Sequence, residues 1–237
     1  MKKGFTLAEV LITLGIIGVV AALTLPSLIA NYKEKATVVK VKKAYSVLSK
    51  AYQFASNEYG EPANWDLKGY DSAEGSKNLR DILGDRMIDV KKGLIKDYYS
   101  AIISLDGSSK YLFSTSTTSA FLTLPDGTAI VFFIESADCS QSRWGTGSYE
   151  NVCAQIDVIT DQKQLHAGIN YFPFYLTAKG IVPMGGEGNT RNFETHCRKN
   201  STISANGWGC TAWVAANENM DYLHCDDLTW SGKTKCK

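Results

Sequence analysis

The residues able to do chemistry fall into two groups that lie far apart in the chain. The first is a set of six cysteines, Cys139, Cys153, Cys197, Cys210, Cys225 and Cys236, with two histidines placed directly before cysteines, as His196-Cys197 and His224-Cys225. Thiolates and imidazoles could hold a zinc ion, but structural zinc sites draw on close ligand pairs such as Cys-x-x-Cys, and no such pair occurs here. A Cys/His nucleophile pair would need an unpaired thiol. An even count of well-spaced cysteines in a chain with an export-type start reads instead as three disulfides made in an oxidising compartment. Cys139 and Cys153 bracket a polar loop between two strand patterns and are expected to pair. The last four cysteines allow three connectivities, of which the sequential one, Cys197 with Cys210 and Cys225 with Cys236, is preferred.

The second group is a single carboxylate. Glu9 opens an apolar run from Val10 to Ala30, interrupted only by Thr13, Thr24, Pro26 and Ser27. At 1.5 Å per residue such a helix crosses about 30 Å of hydrocarbon. A carboxylate at the bilayer centre costs roughly 2.5–3.5 kcal/mol on insertion scales, so a chain that keeps one here is expected to use it. Three readings compete: a cleaved signal peptide with Val20-Ala21-Ala22 as its cleavage site, a plain anchor helix, and a processed assembly helix. An acid at the mouth of the apolar run is foreign to the first.

The elements that would position these groups follow from periodicity. Val38, Val41, Tyr45, Leu48, Tyr52 and Ala55 recur at steps of three and four, which is one stripe on a helix. Asn57, Gly60 and Pro62 supply its stop. One nearly continuous helix over residues 5–58 results, apolar all round in its first half and single-faced in its second. Further on, the pattern predicts a buried anchor at Trp65, a helix over 77–92 ended by Gly93, and a strand over 110–115. A hairpin turning at Pro125-Asp126-Gly127 follows, with strands over 152–159 and 171–176 and a return through Ile181-Val182-Pro183. The expected fold is α+β: a long N-terminal helix packed on an antiparallel sheet, with a disulfide-stapled C-terminal loop region.

The hexapeptide Gly4-Phe5-Thr6-Leu7-Ala8-Glu9, preceded by Lys2-Lys3, resembles the processing site of type IV prepilins and of the pseudopilins of type II secretion. The resemblance implies a leader over residues 1–4, cleavage by a prepilin peptidase between Gly4 and Phe5, and N-methylation of Phe5. It also implies that Glu9 pairs with the amine of a neighbouring subunit during assembly, and that Pro26 permits a kink. It further divides the chain into a transmembrane and filament-core helix (5–30), its amphipathic continuation (31–58) and a globular head (59–237). The head's sheet would span about 109–184 and its Cys-rich tail 185–237. The partners implied are other pilin or pseudopilin subunits, inner-membrane lipid and the assembly platform of the pilus or secretion machinery. The head would be periplasmic first, then part of a periplasmic pseudopilus or an extracellular pilus. In the middle of the chain, Leu124 to Thr128, Asp157-Val158, Gly168, Asn170, Phe172, Phe174, Gly180 and Pro183 also look like pilin-like proteins. Ile159 and Thr160 depart from the usual Asn-Gly, and Asn170 from a frequent Asp.

Charge restricts the function classes. Before residue 60 there are eight Lys/Arg and three Asp/Glu; beyond it there are 17 and 21, so the bulk of the protein is mildly acidic and a general nucleic-acid-binding head is disfavoured. One count opposes the expected topology. Lys33, Lys35, Lys40, Lys42 and Lys43 follow the span while only Lys2 and Lys3 precede it, which by the positive-inside rule puts the head in the cytoplasm. Some relatives bind calcium in C-terminal loops; the groups Asp157/Asp161/Asn170 and Asp221/Asp226/Asp227 lack a dense ligand run and read as solvated turns. No Gly-rich phosphate loop, Ser-based elbow or carboxylate pair is evident, and no catalytic residue, cofactor or metal is expected. The leading expectation is a structural filament subunit. A minor subunit whose tail adheres to a surface or captures DNA, through exposed rings such as Trp208, Trp213, Tyr222 and Trp230, is the alternative; those rings could equally fill a small core. A membrane-anchored exported enzyme is the third reading.

Overall fold

The computed structural model describes residues 6–94, 102–108, 110–111, 118–140 and 152–236. It consists of two compact units, Met1–Ala36 and Thr37–Lys237. A single helix, α1 (Leu7–Tyr59), contributes to both, and its assignment continues through Pro26.

Within the first unit the apolar side chains of α1 are uncovered; Leu7, Leu11, Ile12, Ile16, Ile17 and Leu23 are all exposed. The polar residues interrupting this run are satisfied within the helix itself. Thr13 Oγ1 donates to the carbonyls of Glu9 and Val10, Thr24 Oγ1 to Val20 and Ser27 Oγ to Thr24, at 2.9–3.0 Å. Hydroxyls bonded back to the preceding turn present no unmet donor to an apolar surrounding, which is how Thr and Ser are tolerated in such a helix.

The second unit begins with the amphipathic part of α1. Val38, Val41, Ala44, Leu48, Ala51 and Ala55 are buried, and Tyr45 and Tyr52 flank them half-buried. Ala44 and Ala51 were outside the expected stripe; with Ala55 they are fully buried within it, whereas the tyrosines are half-buried with their rings engaged. Tyr45 stacks on Phe174 at 5.5 Å between centroids, and Tyr52 donates its hydroxyl to the Ala178 carbonyl at 2.9 Å. Trp65 is buried as expected, its indole N–H bonded to the Gly60 carbonyl at 3.1 Å.

A six-stranded antiparallel sheet follows, in the order β1 (Lys91–Leu94), β4 (Ala120–Thr123), β5 (Ala129–Ile134), β6 (Val152–Ile159), β7 (Tyr171–Thr177) and β8 (Gly180–Pro183). A separate pair joins β2 (Ile102–Ile103) to β3 (Lys110–Tyr111). The β4–β5 hairpin closes as its turn residues demand: Gly127 takes φ +81°, its N–H reaches the Leu124 carbonyl, and Asp126 Oδ1 accepts from the Thr128 N–H at 3.0 Å. The β7–β8 hairpin turns through Ala178-Lys179, with Thr177 Oγ1 donating to the Gly180 carbonyl.

Two expectations are corrected. The helix predicted over 77–92 is α2 (Ala73–Gly84), and Lys91–Leu94 is the edge strand β1. Ser72 starts α2 by accepting the Gly75 N–H on its side chain, a cap the apolar pattern did not reveal. The buried stripe of α2 is complete at Leu79 and Leu83, so Ile88, 83% exposed, adds nothing to it. The chain then turns through Asp89 at φ +56°. Of the strand predicted over 110–115, Lys110–Tyr111 is present and 112–115 lie outside the described residues.

The sheet is buried on both faces. Its front face carries Leu122, Ile130, Phe132, Ile134, Ile156, Val158, Phe172, Phe174 and Leu176 against α1 and α2. Its rear face carries Val131, Ile159 and Tyr171 beneath Ile102, Leu165 and Ala167, with Trp208 packed alongside. The rear face is thus covered by a further layer of loops, while the buried side chains of α3 (Phe193–His196) and α4 (Cys210–Asn217) join the cluster of the front face.

Candidate functional site

The start of α1 is built around Thr6 and Glu9. The Glu9 carboxylate accepts from the Thr6 backbone N–H at 2.8 Å and from Thr6 Oγ1 at 2.9 Å, while the Glu9 N–H reaches Thr6 Oγ1 at 3.3 Å. Thr-x-x-Glu is thus a capping box, satisfying helix donors that have no intrahelical acceptor. The signature is written in the sequence, as Thr6 three residues before Glu9 at the mouth of an apolar run. Structurally, it means that Glu9 is aimed back towards the residue next to Phe5. Gly4 and Phe5 themselves lie outside the described residues.

From this cap, α1 is long and apolar enough to cross a membrane by length and composition. The lysines that seemed to oppose the expected topology have a different use. In the second unit, Lys40 Nζ donates to the Thr160 carbonyl and Lys43 pairs with Asp126 of the β4–β5 turn, both at 2.8 Å, while Lys42 pairs with Glu218 beyond α4. These cations fasten α1 to the sheet turns and the tail. The count of cations that follow the span is unchanged by these bonds, and Lys33 and Lys35 lie nearest to its end.

All six cysteines are paired: Cys139–Cys153, Cys197–Cys210 and Cys225–Cys236, the sequential connectivity. The first bridge is buried between the end of β5 and the start of β6. The second joins the end of α3 to the start of α4, and the third closes the last residues of the tail. With every thiol in a bridge, neither a thiolate zinc set nor a cysteine nucleophile is present.

The tail aromatics form an interior. Trp213 is fully buried and stacked on Phe193, with 3.9 Å between centroids and 11° between planes; Tyr222 and Trp230 meet Phe193 edge-on. Tyr222 is buried and donates its hydroxyl to the Gly168 carbonyl at 2.7 Å, so tail and rear loop are tied together. Trp208 is half-buried under the Arg191 guanidinium, 4.6 Å above its ring. Two of the four rings that the adhesive reading needs at the surface are therefore core residues.

The oxygen clusters are likewise engaged. Asn170 donates to the Asp161 and Gln164 carbonyls at 3.1 and 2.7 Å and accepts from the His166 N–H at 2.6 Å. Its amide N–H groups bond two carbonyls, which a carboxylate could not do, and this gives the departure from Asp a physical role. Asp221 accepts the Cys236 N–H, Asp226 the Asn200 amide, and Asp227 pairs with Lys233. Asp157 is not a turn residue at all: it is wholly buried on β6. Among the described residues no group of three or more His, Cys, Asp or Glu is placed to hold a metal ion.

The described chain thus joins a capped apolar helix of membrane length to a continuation packed on an antiparallel sheet with a disulfide-bonded tail. Residues 1–25 match the Prokaryotic N-terminal methylation motif, which supports a type IV pilin-like or pseudopilin chain, and the long N-terminal apolar helix is consistent with it. Residues 27–219 match the Family of unknown function (DUF6613), and the chain belongs to that family. No curated protein and no solved structure matches it.

Proposed function

We propose that the protein is a structural subunit of a type IV pilus or type II secretion pseudopilus. In this reading a prepilin peptidase removes residues 1–4, the new amine on Phe5 is methylated, and the subunit waits in the inner membrane with its head on the periplasmic side. An assembly platform then draws it into a filament of pilin or pseudopilin subunits. The observation that carries the reading is the methylation motif at residues 1–25, followed by an apolar helix whose side chains have no cover within their own unit. Such a helix needs lipid or copies of itself, and a filament core supplies the second when the subunit leaves the first.

Glu9 is the assembly residue in this scheme. In lipid its carboxylate is costly, and the two donors from Thr6 offset only part of that cost. An ammonium on a neighbouring Phe5 would complete it, so assembly relieves a penalty the isolated subunit carries. Pro26 lacks the N–H that would bond the Ala22 carbonyl, and it serves as the point where the helix can bend or loosen.

Mass spectrometry of the mature N-terminus tests the processing step. A chain starting at Phe5 and heavier by one methyl group is expected; an intact Met1, or a start near Leu23, overturns it. Glu9→Ala tests the assembly step: leader removal should continue while filaments are lost, and accumulation of uncleaved precursor would contradict the role given to Glu9.

A further inference from the structure

The rear face of the sheet holds a polar cluster that the filament function does not use. Asp157, at the centre of β6, has no exposed surface. Its Oδ1 accepts from the Tyr171 hydroxyl at 2.8 Å and from Gln155 Nε2 at 2.9 Å. Gln155 Nε2 also lies 3.1 Å from the Tyr171 oxygen, so the three side chains form a closed triangle. Asp157 Oδ2 is buried and has no hydrogen-bond partner among the described residues. Both donors to the carboxyl are neutral. An ionised carboxylate with one oxygen bare of donors in a dry interior is far costlier than the neutral acid.

The other titratable groups on this face do not remove that cost. Glu135, just beyond β5, is itself buried, and its like charge opposes ionisation of Asp157. Tyr171 and Tyr175 on β7 are held neutral by burial. Arg191, from the loop after β8, lies over Trp208 and acts on the two tyrosines. His166, in the loop before β7, and His196, in α3, are both pushed towards the neutral form by burial, and the positive charge of Arg191 adds to this at His196.

We propose that Asp157, bonded to Tyr171 and Gln155 in the sealed rear face, is a proton-operated lock on the head: protonated, it holds the rear layer closed, and its ionisation weakens the fold. Burial pushes the Asp157 carboxyl up to about 7, the bonds from Gln155 and Tyr171 pull the other way, and Glu135 adds to the rise. An unfolded Asp titrates near 3.9. Between about pH 4 and about pH 7 the folded chain therefore keeps a proton that the unfolded chain has released. Stability from this group is complete below the lower value and is lost as pH rises through the upper one. The separation is roughly three pH units, so the full effect is on the order of a thousandfold in the folding equilibrium constant. The half-buried His166 and His196, whose neutral forms are favoured, act in the opposite sense, favouring the fold as pH rises from acid. The lock is therefore read from a difference between variants.

The test is denaturant unfolding of the full-length, detergent-solubilised protein from about pH 5 to about pH 9, wild type against Asp157→Asn. The amide keeps the oxygen that Tyr171 and Gln155 address and cannot ionise. The variant is expected to be on the order of a hundredfold or more favoured over wild type in folding equilibrium constant at about pH 8, and within about tenfold of it at about pH 5. A pH-independent difference between the two overturns the proposal. If Asp157→Asn fails to fold, the infrared carbonyl band of a protonated carboxyl in wild type decides. It should be present near neutrality and vanish on the alkaline side, with its loss shifted further alkaline in Tyr171→Phe, which removes a donor to the ionised form. Absence of that band at about pH 6 also overturns the proposal.

Discussion

Trp213→Ala separates a tail built as a core from a tail built as an adhesive surface. The side chain has no exposed area, stacks on Phe193, lies tilted at 5.2 Å from Trp230, and donates its indole N–H to Asn219 Oδ1 at 3.0 Å. Truncating a buried tryptophan typically costs about 3–5 kcal/mol through lost transfer energy and the cavity left behind. The stacked pair adds about 0.5–1.5 kcal/mol, and the lost hydrogen bond about 1 kcal/mol, softened here because Asn219 Oδ1 also accepts the Asp221 N–H. These contributions overlap, so a net loss of about 4–5 kcal/mol is expected, a large part of the roughly 5–15 kcal/mol that holds a protein folded. Urea unfolding followed by circular dichroism measures it without relying on the fluorescence that the substitution removes. A loss under about 1.5 kcal/mol, with filaments intact but attachment abolished, would refute the core assignment and establish the ring as a contact surface.

Two further outcomes follow from the same packing. Gly185 sits at φ +109°, and a Cβ there would run into the Gly209 carbonyl, so Gly185→Ala should destabilise the head by about 3 kcal/mol or more and expose the tail to protease, as limited digestion would report. Replacing both Cys139 and Cys153 by alanine opens a loop with a separation of 14 residues and should lower stability by about 3 kcal/mol in urea unfolding, with secondary structure retained in the folded fraction.

Several parts of this protein were legible because the physics is local. The stripe from Val38 to Ala55 obeys a period that only a helix satisfies, and Pro125-Asp126-Gly127 is turn chemistry that needs no partner to be recognised. The start of α2 was equally local, in Ser72, but the expected boundary followed the apolar residues and ran past Gly84. Other parts were illegible for a definite reason. Gln155 and Asp157 alternate with Ala154, Ile156 and Val158, which is the pattern of a strand with one wet face. They are buried because Ile102, Leu165, Ala167 and Trp208 come from elsewhere in the chain to cover them. The same holds for Lys40, Lys42 and Lys43: counted along the chain they were cations beside a membrane, and in space they are bonds to Thr160, Glu218 and Asp126.

By itself the sequence determined the class of protein, because the motif at residues 1–25, the membrane-length apolar run and the helical stripe are written in contiguous residues. It also restricted the six cysteines to disulfides, through their even number and wide spacing. Tertiary structure alone decided that the sheet has two buried faces, that Trp213 and Tyr222 of the tail are core, and that Asp157 lies sealed between neutral donors. Those outcomes depend on which distant segments meet, and burial is a property of that meeting. A side chain's type states what it costs to bury it, and only the fold states whether that cost is incurred.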